Sequence, residues 1–95
     1  METLLKPGDM IRIRDDIDEH IEYKMILSSN NKNSWVPNMA KPGALVTIQN
    51  ISQNGQYITD HSHDRDFDID GFWLYTDEMF DPLMLGLLVE ERLNL

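Results

Sequence analysis

Three turn signals punctuate this chain, and the apolar stretches beside them are short enough to read as strands. The signals are Lys6-Pro7-Gly8-Asp9, Lys41-Pro42-Gly43 and Asn54-Gly55. Proline fixes φ at the first turn position and glycine supplies the positive φ that other residues avoid. Asn-Gly between apolar stretches is the strongest short-range hairpin signal. The segments they bound alternate or run apolar. In Met10-Ile11-Arg12-Ile13-Arg14 the isoleucines face one side and the arginines the other, as in a half-buried strand. Ala44 to Ile51, with Leu45, Val46, Thr47, Ile48 and Ile51, is the clearest strand. Gln56-Tyr57-Ile58-Thr59 pairs back on it across Asn54-Gly55, and Phe72-Trp73-Leu74-Tyr75 supplies a last strand. Residues 15–34 are polar and irregular apart from the run Tyr23 to Leu27. Within them Ser28-Ser29-Asn30-Asn31-Lys32-Asn33-Ser34 reads as a loop tip. Several short strands punctuated in this way predict an all-β fold, a small barrel or sandwich.

Ninety-five residues make one domain with a thin core. Residues 1–81 form the predicted β-domain. Residues 82–95 form an apolar tail, either part of the same domain or an oligomer contact. Asp81 is suited to cap a helix and Pro82 to open it. Leu83, Met84, Leu85, Leu87, Leu88, Val89 and Leu93 then lie nearly all round that helix, with Gly86 inside it. A helix apolar on most sides must be covered on most sides. Two readings follow. It plugs the open end of a barrel, or Leu83, Met84, Leu87 and Leu88 contact a partner or a second copy.

The chain has no cysteine, which removes disulfides, thiolate metal sites and cysteine nucleophiles. The N-terminal residues lack a signal-peptide pattern, and no window is apolar for the ~20 residues of a membrane span. These features predict a cytoplasmic protein. Net charge is −9, unevenly placed. Asp15, Asp16, Asp18, Glu19 and Glu22 form one acidic cluster. Residues 60–81 form another, with eight acids against Arg65, whereas residues 23–59 contain none. If the clusters meet, one face repels nucleic acid and membranes and attracts a protein with a basic surface. The competing reading of the same charge is solubility.

The order of motifs resembles a set of small SH3-like barrel proteins encoded by bacteriophages and prophages of Gram-positive bacteria. The resemblance rests on Lys6-Pro7-Gly8-Asp9-Met10-Ile11-Arg12-Ile13-Arg14, Trp35-Val36-Pro37-Asn38-Met39, Gly43 with Val46-Thr47-Ile48, Gln56-Tyr57-Ile58, and Trp73-Leu74-Tyr75-Thr76-Asp77-Glu78-Met79-Phe80. It covers residues 6–80, and the closing run from Trp73 to Phe80 is its most specific part. It implies a barrel of about five strands, to which the chain adds its short C-terminal helix, and a phage source, without a mechanism. The chain departs from the pattern in its extra residues between Thr59 and Trp73 and in the tail after Pro82. SH3-like barrels often bind peptides through aromatic grooves. Of the rings that could line one, Trp73 is assigned to the core, and Trp35 and Tyr75 stay candidates for binding.

Residues 66–77 fit a calcium-loop template. Asp66, Asp68 and Asp70 stand at its first, third and fifth positions, Gly71 at the sixth, and Asp77 where calcium sites want a glutamate. The same spacing is also that of an acidic strand with an Asp70-Gly71 hairpin turn, its aspartates in water. Segments that read as strands on both sides favour the turn. His61 and His63 stand two apart beside carboxylates, a spacing open to a transition metal, but two imidazoles are too few ligands by themselves. There is no phosphate-binding glycine loop, no nucleophile elbow and no acid/base pair in opposed environments, so an enzyme is not expected. The sequence therefore predicts a non-catalytic accessory protein that binds a host or phage protein through Asp15, Asp16, Asp18, Glu19, Asp64, Asp66, Asp68 and Asp70. It needs no cofactor, and touches neither nucleic acid nor membrane. The alternatives are an anti-defence inhibitor of the anti-CRISPR kind that imitates nucleic-acid charge, and a calcium-stabilised structural or oligomeric module.

Overall fold

A computed structural model describes residues 3–28, 30–61 and 73–93. Its strands are β1 (Met10–Arg12), β2 (Glu22–Lys24), β3 (Lys32–Ser34), β4 (Leu45–Ile51) and β5 (Tyr57–Thr59). A 3-10 turn (Asp77–Met79) and the helix α1 (Pro82–Leu93) follow. The three expected turns all form. Gly8, Gly43 and Gly55 have φ of 97°, 77° and 83°, the region in which a side chain is strained. At Gly43 a Cβ would also lie 2.7 Å from Asp15 Oδ1, so that exposed side chain would have to move aside.

β1, β4 and β5 form an antiparallel sheet in that order. Met10 pairs with Thr47, Ile11 with Val46 and Arg12 with Leu45. Ile48 pairs with Thr59 and Ile51 with Tyr57, with a bulge between Ile48 and Asn50. The period-two pattern decides the faces: Ile11, Ile13, Val46 and Ile48 are fully buried, while Met10 and Leu45 point out. Residues 75–80 meet both edges of this sheet. Tyr75 exchanges two backbone hydrogen bonds with Tyr57 of β5, at 2.8 and 2.9 Å. Phe80 bridges Ile13, just past β1, and the Asp81 N–H donates to the Arg12 carbonyl at 2.8 Å. The strand expected over residues 72–75 is, among the described residues, this single bridge at Tyr75; Phe72 lies outside them.

The second sheet was not anticipated. β2 and β3 form an antiparallel hairpin within residues 15–34, so Lys32–Ser34 is strand and not loop tip. These strands carry few apolar residues. The hairpin is tied to the rest of the fold by Tyr23 and Met25, both buried, and by polar bonds. Gln56 Nε2 donates to the Lys32 carbonyl at 3.5 Å, and Asn33 Nδ2 donates to the Leu74 carbonyl at 2.7 Å.

The core collects Leu5, Ile11, Ile13, Val46, Ile48, Tyr57, Tyr75, Met79 and Phe80, all essentially without exposure. Each large aliphatic side chain among them contributes roughly 1.5–3 kcal/mol by leaving water. The Phe80 ring lies 6.3 Å from that of Tyr75, nearly parallel, and 5.7 Å from that of Tyr57, tilted. The helix begins as its sequence predicts: Asp81 Oδ1 accepts the Leu83 N–H at 3.0 Å and the Asp81 carbonyl accepts the Leu85 N–H at 2.9 Å. The fold is thus mostly strands in two small antiparallel sheets with one C-terminal helix.

Candidate functional site

The run Thr76-Asp77-Glu78 joins the two sheets. Its side chains reach the backbone of β2 and of the residues just past it. Thr76 Oγ1 donates to the Tyr23 carbonyl at 3.0 Å. Glu78 Oε1 accepts the Lys24 N–H at 2.7 Å, and Asp77 Oδ2 accepts the Ile26 N–H at 2.9 Å. Asp77 is fully buried, and its second oxygen accepts the Tyr57 hydroxyl at 2.5 Å. That hydroxyl in turn accepts the Leu5 N–H at 3.2 Å. Burial pushes the Asp77 carboxyl above its ordinary range, against the lowering effect of these donors. Burial and the neighbouring carboxylate likewise push the Tyr57 hydroxyl upward.

This placement corrects the role of Asp77 as a calcium ligand. Both its oxygens are committed to protein donors inside the core, so they do not face an ion at a loop surface. The other proposed calcium ligands, Asp66, Asp68 and Asp70, lie outside the described residues, as do His63 and Asp64. His61 is described, and its Nε2 stands 3.9 Å from Asp60 Oδ1. The same Asp60 oxygen accepts the Thr47 N–H at 3.0 Å while the Asp60 N–H donates to the Thr47 carbonyl, so this carboxylate continues the pairing with β4 past the end of β5. Among the described residues no three acids or histidines gather as metal ligands would.

The aromatic expectation is reversed. Tyr75 is fully buried and its hydroxyl accepts the Ala40 N–H at 2.8 Å. Trp35 is buried too, with its indole N–H on the Ala40 carbonyl at 2.9 Å. Neither ring can line an open groove. Trp73, assigned to the core, is only partly buried at its margin.

What stays on the surface is the loop after β1. Asp15, Asp16 and Glu19 are exposed and Asp18 is half-buried, with Ile17 between them anchored in the core. Asp18 Oδ1 accepts the His20 N–H at 2.9 Å, and the Asp18 N–H donates to the Tyr23 hydroxyl at 2.8 Å, so the loop is tied to β2 at its far end. Arg14 grips Asp16 through Nε at 2.6 Å and Nη2 at 3.1 Å. This holds Asp16 below the usual carboxylate range. The same guanidinium donates to the Glu78 carbonyl at 3.0 Å and lies 5.7 Å over the Tyr23 ring. Lys32 pairs with Glu22 across the hairpin at 2.9 Å. Two of the five acids in this stretch are therefore matched by a lysine or arginine. Asp15, Asp18 and Glu19 carry the remaining charge of a loop braced at both ends.

The second surface is α1. Leu85 is buried, and Met84, Leu88 and Val89 are partly buried against the core. Leu83 and Leu87 point outward at 80% and 66% exposure. So the helix covers the sheet with one side only, and of the four residues expected at a partner contact, Leu83 and Leu87 are the fully available pair. Among the described residues no helix is long and apolar enough to cross a membrane. Comparison with protein-family models, with curated proteins and with solved structures returns no match to this chain.

Proposed function

We propose that this chain is a non-catalytic accessory protein of phage or prophage origin. It works in the bacterial cytoplasm by binding a protein with a basic surface, through an acidic surface built on an SH3-like barrel. The barrel reading is supported by residues 75–80, which touch β5 at Tyr75 and the end of β1 at Phe80 and so lie against both edges of one sheet. The binding reading is carried by one observation: the loop bearing Asp15, Asp16, Asp18 and Glu19 presents exposed carboxylates on a rigidly tied backbone. A fixed array of like charge steers and orients an oppositely charged partner while losing little conformational freedom on binding.

The test compares wild type with Asp15→Asn, Asp18→Asn, Glu19→Gln in capture from a Gram-positive lysate. Asn at position 18 keeps the oxygen that caps His20. A protein retained by wild type and released by the variant supports the reading. Equal retention refutes it. Competition with double-stranded DNA then separates the anti-defence alternative, since DNA displaces the chain from the captured partner only where the chain imitates nucleic acid at a nucleic-acid site.

A further inference from the structure

The exposed side of α1 has a definite layout. Leu83, Gly86, Leu87, Glu90 and Glu91 all lie on it. The spacing places Leu83, Gly86, Leu87 and Glu90 along one stripe. A Cβ on Gly86 would meet nothing within 4 Å, so the glycine leaves a notch between two standing leucines. Glycine inside a helix weakens it by roughly 1 kcal/mol relative to alanine, and nothing inside this fold requires it here.

Charge decides what fits. The only cation of the helix, Arg92, is turned inward, where it donates to Asp9 Oδ2 and to the Leu4 carbonyl. The exposed side therefore ends in two acids that, among the described residues, no base meets. Pairing with a second copy fails on this ground. An antiparallel copy about Gly86 and Leu87 would set Glu90 against the other Leu83. A parallel copy would set Glu90 against Glu90. Each copy also carries a net charge of −9. The C-terminal end of the helix dipole is negative as well, which adds to the preference for cations there.

We infer that the Leu83–Gly86–Leu87 stripe docks a basic amphipathic helix of another protein. Its apolar residues straddle the two leucines, its backbone approaches over Gly86, and its lysines or arginines meet Glu90 and Glu91. This surface is independent of the loop after β1, and either can fail without the other.

The probe is a synthetic amphipathic peptide of about 18 residues, five helical turns, with leucines on one face and lysines on the other. Its control replaces the leucines by serine at equal charge. Binding to the full chain is read by calorimetry, and self-association by sedimentation. Wild type is expected to bind the leucine peptide at least about tenfold more tightly than the serine peptide. Leu83→Asp with Leu87→Asp removes that difference while circular dichroism stays unchanged. Gly86→Ala gives the sharper result: the melting temperature rises and affinity for the peptide falls, because the notch is filled. Overturning results are no binding, equal binding of the two peptides, full binding by the aspartate variant, or a wild-type dimer that the aspartate variant splits.

Discussion

Asp77→Ala is the substitution that most directly probes how the two sheets are joined. It deletes the acceptor for one buried donor, the Tyr57 hydroxyl, and one part-buried donor, the Ile26 N–H. Leaving a buried donor unsatisfied costs about 1–3 kcal/mol and losing an ordinary hydrogen bond about 1, so the loss is ~1–4 kcal/mol. Against the ~5–14 kcal/mol expected for a domain of this length, that is a large fraction. Tyr57→Phe removes the donor to Asp77 and the acceptor of the Leu5 N–H, and is expected to cost about 1–3 kcal/mol. The double variant removes both ends of one bond together, so its loss should fall short of the sum by about 1 kcal/mol or more. Urea unfolding followed by the fluorescence of Trp35 and Trp73 measures all four proteins. Hydrogen exchange at Ile26 reports the freed amide. A loss below about 0.5 kcal/mol for Asp77→Ala, typical of a surface site, would refute the burial and bonding of this carboxylate.

The same carboxyl gives a pH signature. Its folded form binds a proton more readily than the unfolded chain, because burial raises it. Its contribution to stability is therefore full below the unfolded value, and is lost as pH rises from about 4 through the raised folded value. The urea midpoint of wild type relative to Asp77→Asn should fall over that window; a relative midpoint that rises instead would reverse the sign. Gly43→Ala forces an alanine to φ of 77° with its Cβ against Asp15. A loss of about 1–3 kcal/mol in thermal unfolding is expected, and Gly8→Ala, where nothing lies within 4 Å, should cost less. Asp81→Ala removes the cap from the Leu83 N–H and should cost about 1 kcal/mol, while Asp81→Asn or Asp81→Ser should restore most of it.

The parts of this fold that local rules govern can be read from the chain. Ile11 and Ile13 alternate with exposed neighbours because β1 has one buried face. Gly8, Gly43 and Gly55 mark turns because each needs a positive φ. Asp81 and Pro82 open a helix because a cap is a local device. Glu22-Tyr23-Lys24 and Lys32-Asn33-Ser34 escape such rules. Their strands are three residues long, and the backbone of β2 and just past it is held by side chains of Thr76, Asp77 and Glu78, more than 50 residues away. Asp77 misleads for the same reason. A carboxylate at the end of an acidic stretch looks solvent-facing, and only tertiary packing brings Tyr57 and Ile26 to it. One signal was present: Asp77 stands between Tyr75 and Met79-Phe80, all core residues, in the most specific run of the chain. Of the aromatic side chains, Tyr75 is drawn in by its bridge to Tyr57 and Trp35 by the Ala40 carbonyl, neither of which has a sequence mark.

The contact of residues 75–80 with both sheet margins also fixes the order in which this chain can mature. During synthesis β1, β4 and β5 all emerge before residues 75–80, the groups that flank them. Until then a nascent three-stranded sheet carries two uncovered borders, each able to recruit a neighbouring chain. The native arrangement therefore waits on residues 75–80. Its slow step should be the docking of that late segment, with contacts spanning more than 60 residues between Phe80 and Ile13.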